Sequence, residues 1–547
     1  MRVRSIVLAT CLLLLPAAAH AQARADNVKR CTSPDVAADL RIGACTALIQ
    51  TGQETTTDLA IIFCNRGLSY FDKDDFVKAL EDFEQSLKLN PNYAAAVGGR
   101  ARVMAIRKNY ASAETEHTRA IGLDPASHFL YWLRGMTYLD EDKLPEAIAD
   151  FNKAIQLKPD WGQPFFARAR AYYRQSEYEK VIADNTTSLR LLPEEYFAYY
   201  NRGLAYAALE QWDKAIADYD ATLKVNPTYA EGLVERGRAY FQKQDYAKAI
   251  ADLTQAFTLS PTSQEAVFTR ARVYYAQKEY DLSIADNTKA IALDPADYVA
   301  FFNRGLSYFG KKDYPRAIAD FDKSISMKPT YRSPVFQRAR VYYAMKEYDK
   351  SIADNTLAIS LDPKDGDAYY NRGLAYLDSD RLEQALADTQ TAISLQPGDY
   401  DDLMQRATIY QRLKLFQLAD ADYAELVKAD PKRTYAASLK ALNRTMLNQV
   451  AEAVVDCDAL VAAAPTSHVI NETCAMVYLK AGDLKRALAG FETAQKDAGD
   501  TDGQPLYGSG LVKQKQGLAV AAKADFDAAL KRNPKIADYF TRFGLIR

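Results

Sequence analysis

Histidine is nearly absent from this 547-residue sequence, with four in all. They stand at His20, His117, His128 and His468, far apart and without acidic or thiol partners at ligand spacing. That excludes a histidine-built zinc site. There is no G-x-x-x-x-G-K-S/T phosphate loop, no G-x-S-x-G elbow and no G-x-G-x-x-G dinucleotide fingerprint. The acidic run Asp72-Lys73-Asp74-Asp75 lacks the turn glycine and distal glutamate of a calcium loop. Charge of either sign is barely in excess, with 69 basic against 71 acidic residues and a net charge of −2. Such a balance lacks the basic field that a nucleic-acid binder needs. Beyond position 21 no window of 18 apolar residues occurs, so no transmembrane segment is expected. These absences imply a non-enzyme with no cofactor, no bound metal and no catalytic residues.

The segment 1–21 has the form of an export signal. Arg2 and Arg4 precede an apolar run from Ile6 to Leu15, and Ala19-His20-Ala21 forms a small-residue cleavage site. Cys11 follows Thr10 rather than a small residue, which argues against a lipid-anchored cysteine. Cleavage after Ala21 would deliver the chain to the periplasm or outside the cell. The mature cysteines are Cys31, Cys45, Cys64, Cys457 and Cys474. An odd number in an oxidising compartment leaves at least one thiol unpaired.

What is abundant is repetition. At a constant 34-residue step, Arg66, Arg100, Arg134, Arg168, Arg202, Arg236, Arg270, Arg304, Arg338, Arg372 and Arg406 fall in register. A proline column runs in phase from Pro91 to Pro465. An unbroken period of this length means stacked identical units, each unable to bury its apolar face alone. In the unit Tyr298–Pro329, apolar and small residues recur at helical spacing through Phe301, Gly305 and Tyr308, then through Ala317, Phe321 and Ser324. The polar turn Gly310-Lys311-Lys312-Asp313 separates the two helices, and Pro315 stands where its missing N–H costs nothing. The column proline ends the second helix by steering the residue before it out of helical geometry. Gly or Ala holds every first-helix crossing point, as at Gly67, Ala101, Gly135, Ala169, Gly203 and Gly305, so paired helices can approach closely.

At these residues the chain resembles the tetratricopeptide repeat family. It shares the 34-residue unit, the Gly/Ala pair, the tyrosine three residues after the Gly (Tyr138, Tyr206, Tyr308, Tyr376) and the terminal proline. It departs from the family's pattern in carrying arginine where leucine usually precedes the Gly, and mostly Phe or Tyr at the usual first-helix tryptophan. The resemblance implies an all-α fold: a right-handed α-solenoid superhelix of about fourteen 34-residue helix-turn-helix repeats. The expected organisation is a signal peptide at 1–21, an N-terminal cap segment with a cysteine pair at 22–57, a regular array at 58–431, degenerate repeats at 432–534 and a capping helix at 535–547. Within the cap a short helix is expected at about Val36 to Gln50. The cap assignment rests on similarity to exported bacterial proteins of this family.

In that family the first helices line the concave wall, which by similarity places three columns facing inward. One is aromatic: Trp132, Phe166, Tyr200, Phe268, Phe302, Phe336 and Tyr370. A second alternates Arg102, Arg170, Arg238, Arg272 and Arg340 with leucine. A third includes Tyr275 and Tyr343. Arginine beside aromatic surface suits an extended peptide or protein partner, or an anionic polysaccharide as the alternative. The near-copies VFTRARVYYAQKEYD and VFQRARVYYAMKEYD, two repeats apart, show that the array grew partly by duplicating pairs of units.

Three pairings follow from the register. Each column arginine should meet the acid sixteen positions on, as Arg304 with Asp320, in half-exposed pairs worth about 0.5–1 kcal/mol each. Lys440 should take Asp456 in the same way. Asn185, Asn287 and Asn355 are followed at the same offset by Asn201, Asn303 and Asn371, and each two amides should hydrogen-bond across a repeat boundary. Cys31 and Cys45 should form a disulfide, with Cys457 and Cys474 a second candidate and Cys64 the odd thiol.

Overall fold

The computed structural model describes residues 22–33, 35–431, 434–497 and 503–546. The expected signal peptide at 1–21, with Cys11, and the insertion around Gly499 and Asp500 lie outside the described residues. Every regular element among those described is a helix. Fourteen helix pairs follow one another from Thr56–Phe71 with Phe76–Leu89 to Gln504–Lys515 with Ala519–Arg532. Contacts group into two units, Met1–Val273 and Tyr274–Arg547, and each is an α-solenoid in its own right. In both, a first helix packs on its own second helix, and successive first helices also touch each other.

The turn within each pair has a fixed mechanism. In Tyr298–Gly310 the chain leaves the helix through Lys312 at φ 61°. The Lys312 N–H donates to the Phe309 carbonyl at 2.8 Å, and the Asp313 N–H to the Tyr308 carbonyl at 2.9 Å. This satisfies the last carbonyls by a Schellman arrangement. Asp313 then caps Tyr314–Met327, its carboxylate accepting from the Arg316 N–H at 3.3 Å. The left-handed position recurs once per repeat from Asp74 to Asn448, always at a non-glycine residue, and becomes Gly482 and Gly517 only near the end. Polar residues there carry the cost that a β-carbon adds to left-handed geometry.

The crossing point follows a steric rule that connects two columns. A β-carbon on Gly305 would lie 2.7 Å from Phe321 Cε1, one on Gly135 2.6 Å from Phe151 Cε1, and one on Gly203 2.7 Å from Tyr219 Cε1. The ring on the facing second helix fills the space that glycine leaves. Where the crossing residue is Ala101, Ala169 or Ala339, the facing residue is the smaller His117, Asn185 or Asn355. Ala407 with Tyr423 and Ala475 with Phe491 depart from the rule, and Gly237 and Gly373 face Leu253 and Thr389 rather than a ring.

Both ends are built differently from the middle. Before the array stand a helix at 22–32 and the helix Ala38–Thr51, the latter close to the expected Val36–Gln50. The first repeat helix begins at Thr56, two residues before the expected boundary. Cys31 and Cys45 are buried, with Cα atoms 5.0 Å apart, a separation that suits a disulfide. In the degenerate repeats Cys457 and Cys474 stand 5.4 Å apart, and Cys64 is buried and unpaired. The closing helix is Ile536–Arg542, shorter than the expected 535–547. It buries Phe540 and Phe543 in a large apolar cluster with Met476, Phe491 and Leu511. The loss of register in this segment is therefore no loss of packing.

Candidate functional site

The arginine column is structural. Arg304 binds Asp320 through two parallel hydrogen bonds of 2.8 Å, and the same geometry recurs at Arg66–Asp82, Arg134–Asp150, Arg202–Asp218, Arg372–Asp388 and Arg406–Asp422. A third guanidinium nitrogen reaches back to the preceding second helix, as Arg202 to Thr186 Oγ1 at 2.9 Å and Arg372 to Thr356 Oγ1 at 3.0 Å. One side chain thus ties three helices. The hydrogen bond to its acid raises the Arg304 pKa. Asp320 is 6% exposed, so the pair is more buried than the register alone suggests. At the degenerate end Asp456 pairs with Arg444 instead of Lys440. Arg444 lies one helical turn past Lys440, nearer the connecting turn, and so reaches the acid first.

The asparagine pairing does not form. Asn185, Asn287 and Asn355 are buried, and each donates its amide to the carbonyl four residues back in its own helix, at 3.0–3.1 Å. Their Oδ1 atoms are left buried without a partner. Asn371 likewise turns to Asp367 O at 2.8 Å, while Asn201 and Asn303 are half-buried. The physical reason is the crossing rule: these second-helix asparagines occupy the site of the core ring, facing the crossing alanine rather than the next repeat's amide. His117 occupies the same place and bonds Thr137 Oγ1 at 3.0 Å. Burial, then Arg102 and Arg134, push its pKa down to about 3.

The expected wall residues divide into those already used by packing and those left free. Tyr200 and Phe302 are half-buried, their rings 6.1 and 6.0 Å from the core rings of Tyr219 and Phe321. They also meet the next repeat's Tyr229 and Tyr331 at 5.2 and 5.4 Å. Phe166 and Phe268 are half-buried as well. Phe336 carries Arg332 over its ring at 5.4 Å, and burial followed by Asp401 raises Tyr370 to about 12. The aromatic column is thus partly core.

The second arginine column is heterogeneous. Arg102 is buried and paired with Asp140 at 2.6 Å. Arg238 is held by Glu235 at 2.7 Å and by Glu265. Arg170 is half-buried and has no bonded partner among the described residues. Arg272 and Arg340 are exposed, each over an aromatic ring of the preceding repeat's first helix: Arg272 over Phe241 at 5.7 Å, Arg340 over Phe309 at 5.8 Å. Tyr275 is 38% exposed, and Tyr343 donates its hydroxyl to Asp378 at 2.6 Å. In the second unit a pocket of about 260 Å³ brings together Phe309, Arg340, Tyr343, Ser351 and Asn371. It offers one exposed cation, two rings and one amide from first helices, with Ser351 from a second helix.

Two features escaped sequence reasoning. A cavity of about 330 Å³ in the first unit gathers Trp132 with Phe71, Phe129 and Trp161. The presence of Trp132 and Trp161, two of the chain's three tryptophans, in adjoining repeats was its only sequence signal. The other is Asp402, 2% exposed, whose Oδ2 has no partner. Burial, then Asp399, Asp367 and Asp401, raise it to about 7. Leu545 and Ile546 pack on the apolar cluster around Phe540, and Lys480 donates to the Gly544 carbonyl at 2.8 Å.

Comparison with known families places tetratricopeptide repeat models on residues 60–93, 130–160 and 366–399, and on overlapping stretches from 166 to 332. A related TPR repeat model covers 339–380. Together these span more than half of the chain. No curated protein matches it. Among solved structures it is similar to a tetratricopeptide repeat protein from Parabacteroides merdae, at 22% identity and TM-score 0.38, over 45% of this chain and 98% of that one. It is also similar to the Cut9–Hcn1 hetero-tetramer of the APC/C, at 14% identity and TM-score 0.39, over 87% and 95%. YrrB, a TPR protein with an unusual peptide-binding site, matches at 22% identity and TM-score 0.30, over 34% and 95%. At these identities and scores the likenesses carry no argument about ligand.

Proposed function

The chain belongs to the tetratricopeptide repeat family, and we propose that it is an exported, non-enzymatic scaffold binding a protein or extended peptide along its first helices. One observation supports this above the others. Most register arginines are consumed by bidentate acid pairs, yet Arg272 and Arg340 stand exposed over aromatic rings on the first-helix surface. Register arginines such as Arg304 also lie over a ring, but their charge is taken by an acid, whereas Arg272 and Arg340 have no acid partner among the described residues, as a groove for carboxylates and backbone carbonyls requires. The fold is typically a non-catalytic scaffold, and no described helix is long and apolar enough to cross a membrane. Export to the periplasm or beyond is supported by the leader sequence and by two cysteine pairs at disulfide spacing.

A pull-down from envelope extract with mass spectrometry tests the proposal, comparing the intact chain with Arg272→Ala/Arg340→Ala. Partners captured by the intact chain and lost by the double variant support it. Equal capture by both removes the groove from the account. The same exposed cations over rings also suit an anionic glycan. Retention of oligouronates in place of any protein would move the chain to envelope polysaccharide handling.

A further inference from the structure

The first helices change character in the last repeats. In the register of Arg272 and Arg340 they carry Leu442, Met476 and Leu511, and all three are buried. The aromatic column of Trp132 and Phe302 arrives there at Tyr507. In Tyr298–Gly310 the buried residues are Ala300, Gly305 and Ser307, whereas in His468–Ala481 every residue from Ile470 to Leu479 is buried. An amphipathic first helix keeps one face for solvent, and over this stretch none is left. The first helix Thr434–Met446 packs directly on one side of it.

The chain's own closing segment covers the rest. Ile536–Arg542 packs on the first helix Gln504–Lys515, with the Phe540 ring 5.0 Å from Tyr507, instead of extending the stack past Ala519–Arg532. Phe540 and Phe543 are buried in one cluster with Leu442, Met476 and Leu511. Gly544, at φ 62°, ends the helix in a Schellman turn. The Leu545 N–H donates to the Phe540 carbonyl at 3.1 Å, and the Gly544 N–H to the Thr541 carbonyl at 2.9 Å. That turn sends Leu545 and Ile546 back onto the cluster, and Lys480 holds the Gly544 carbonyl from the end of its own first helix. A β-carbon on Gly544 would lie 3.9 Å from Met446 Cε, one repeat earlier still. The segment therefore runs against the chain direction, from the last repeat over the two before it.

Its hold is local. A helix of 7 residues has little stability of its own in water, so the contacts of Ile536, Phe540 and Phe543 keep it in place. Partial burial, then the guanidinium of Arg412, lower the Arg542 pKa, so the segment also brings one cation towards another. The short turn Asn533-Pro534-Lys535 opposes release by holding the segment at an effective concentration of about millimolar.

We propose that Ile536–Ile546 is a releasable strap. Closed, it occupies an apolar wall built by Leu442, Met476, Tyr507 and Leu511. Released, it opens that wall as a second surface, chemically distinct from the one that carries Arg272 and Arg340.

The probe is a fluorescein-labelled peptide of residues 535–546, titrated by anisotropy into the full chain and into Phe540→Ser/Phe543→Ser, which keeps the wall and disables the strap. The peptide should bind the variant saturably and the intact chain at least about 10-fold more weakly, because the tethered copy competes with the free one. Hydrogen exchange should show Leu484–Asp497 and Ala519–Arg532 as protected in the variant as in the intact chain. Should the double substitution unfold the last repeats, about ten Gly and Ser residues inserted between Asn533 and Pro534 leave every strap contact in place. The longer tether lowers the effective concentration and should tighten peptide binding about 3-fold or more over the intact chain. No saturable binding to either altered chain, or equal binding to all three chains, overturns the strap. Neither result bears on Arg272 or Arg340, so the scaffold reading stands or falls separately.

Discussion

Replacing Gly305 by alanine separates two opposed effects at the helix crossing. In a helix interior alanine is favoured over glycine by about 0.5–1 kcal/mol, because glycine gives up more backbone freedom on folding. Here the new methyl would stand 2.7 Å from Phe321 Cε1 and 2.8 Å from Cδ1, and Phe321 is fully buried. Forcing a methyl into a filled core costs about 1–3 kcal/mol, so Gly305→Ala should lower local stability by up to about 2 kcal/mol. With the ring removed the sign should reverse. In a Phe321→Asn background, which copies the neighbouring unit's Ala339 and Asn355, Gly305→Ala should stabilise by about 0.5–1 kcal/mol. Phe321→Asn alone should cost several kcal/mol, about 3–5 for a lost core ring. Long repeat arrays do not unfold as one cooperative unit. The assay is therefore hydrogen exchange by mass spectrometry, read on peptides covering Tyr298–Gly310 and Tyr314–Met327. A coupling energy of at least about 1 kcal/mol is expected, and additivity within about 0.5 kcal/mol would refute the claim that ring and glycine share one space.

Arg304→Ala strands a carboxylate that is 6% exposed, so it should loosen its hairpin by about 2–3 kcal/mol in the same exchange assay, between surface and fully buried pairs. A cost below about 0.5 kcal/mol would return the pair to the surface class. Asp402 holds its proton in the fold up to about pH 7, against about 3.8 for the free carboxyl, so its site loses stability as pH rises across that window. Asp402→Asn should accordingly raise local stability at pH 8, by about 1–3 kcal/mol after solvent screening, and leave it unchanged at pH 4. Intact-mass thiol counting of exported protein should find one free thiol, Cys64, reactive only after denaturation because it is buried; five free thiols would remove both cysteine pairs.

The fold was legible because its signals repeat. A 34-residue period, a small crossing residue and a proline stop state the helix boundaries in each unit independently, and most repeats place an acid against the register arginine. The asparagines misled for a physical reason. Equal spacing from the turn suggested that Asn185 faces Asn201, but the ring position it occupies points at Ala169 on the preceding first helix. The covariation of glycine with a ring and alanine with Asn or His was present in the columns, yet it has meaning only once the crossing distance is known. The wall was only partly legible, since Tyr200 and Arg238 look like surface residues in sequence while their contacts draw them into packing. The tryptophan cavity depends on Arg41 from the cap helix meeting Phe71, Trp132 and Trp161 from three later repeats, and no local pattern encodes that meeting.

Hydroxyl-radical footprinting of the chain with and without its captured partner tests the central claim most directly. Tyr173 and Tyr275 lie on first helices at 37% and 38% exposure, while Leu282, Leu357 and Leu418 lie on second helices at 47%, 40% and 48%. If first helices form the binding surface, the partner lowers oxidation of the two tyrosines severalfold and leaves the three leucines as they were. Protection of the leucines with the tyrosines unchanged would place the partner on the opposite side and contradict the account.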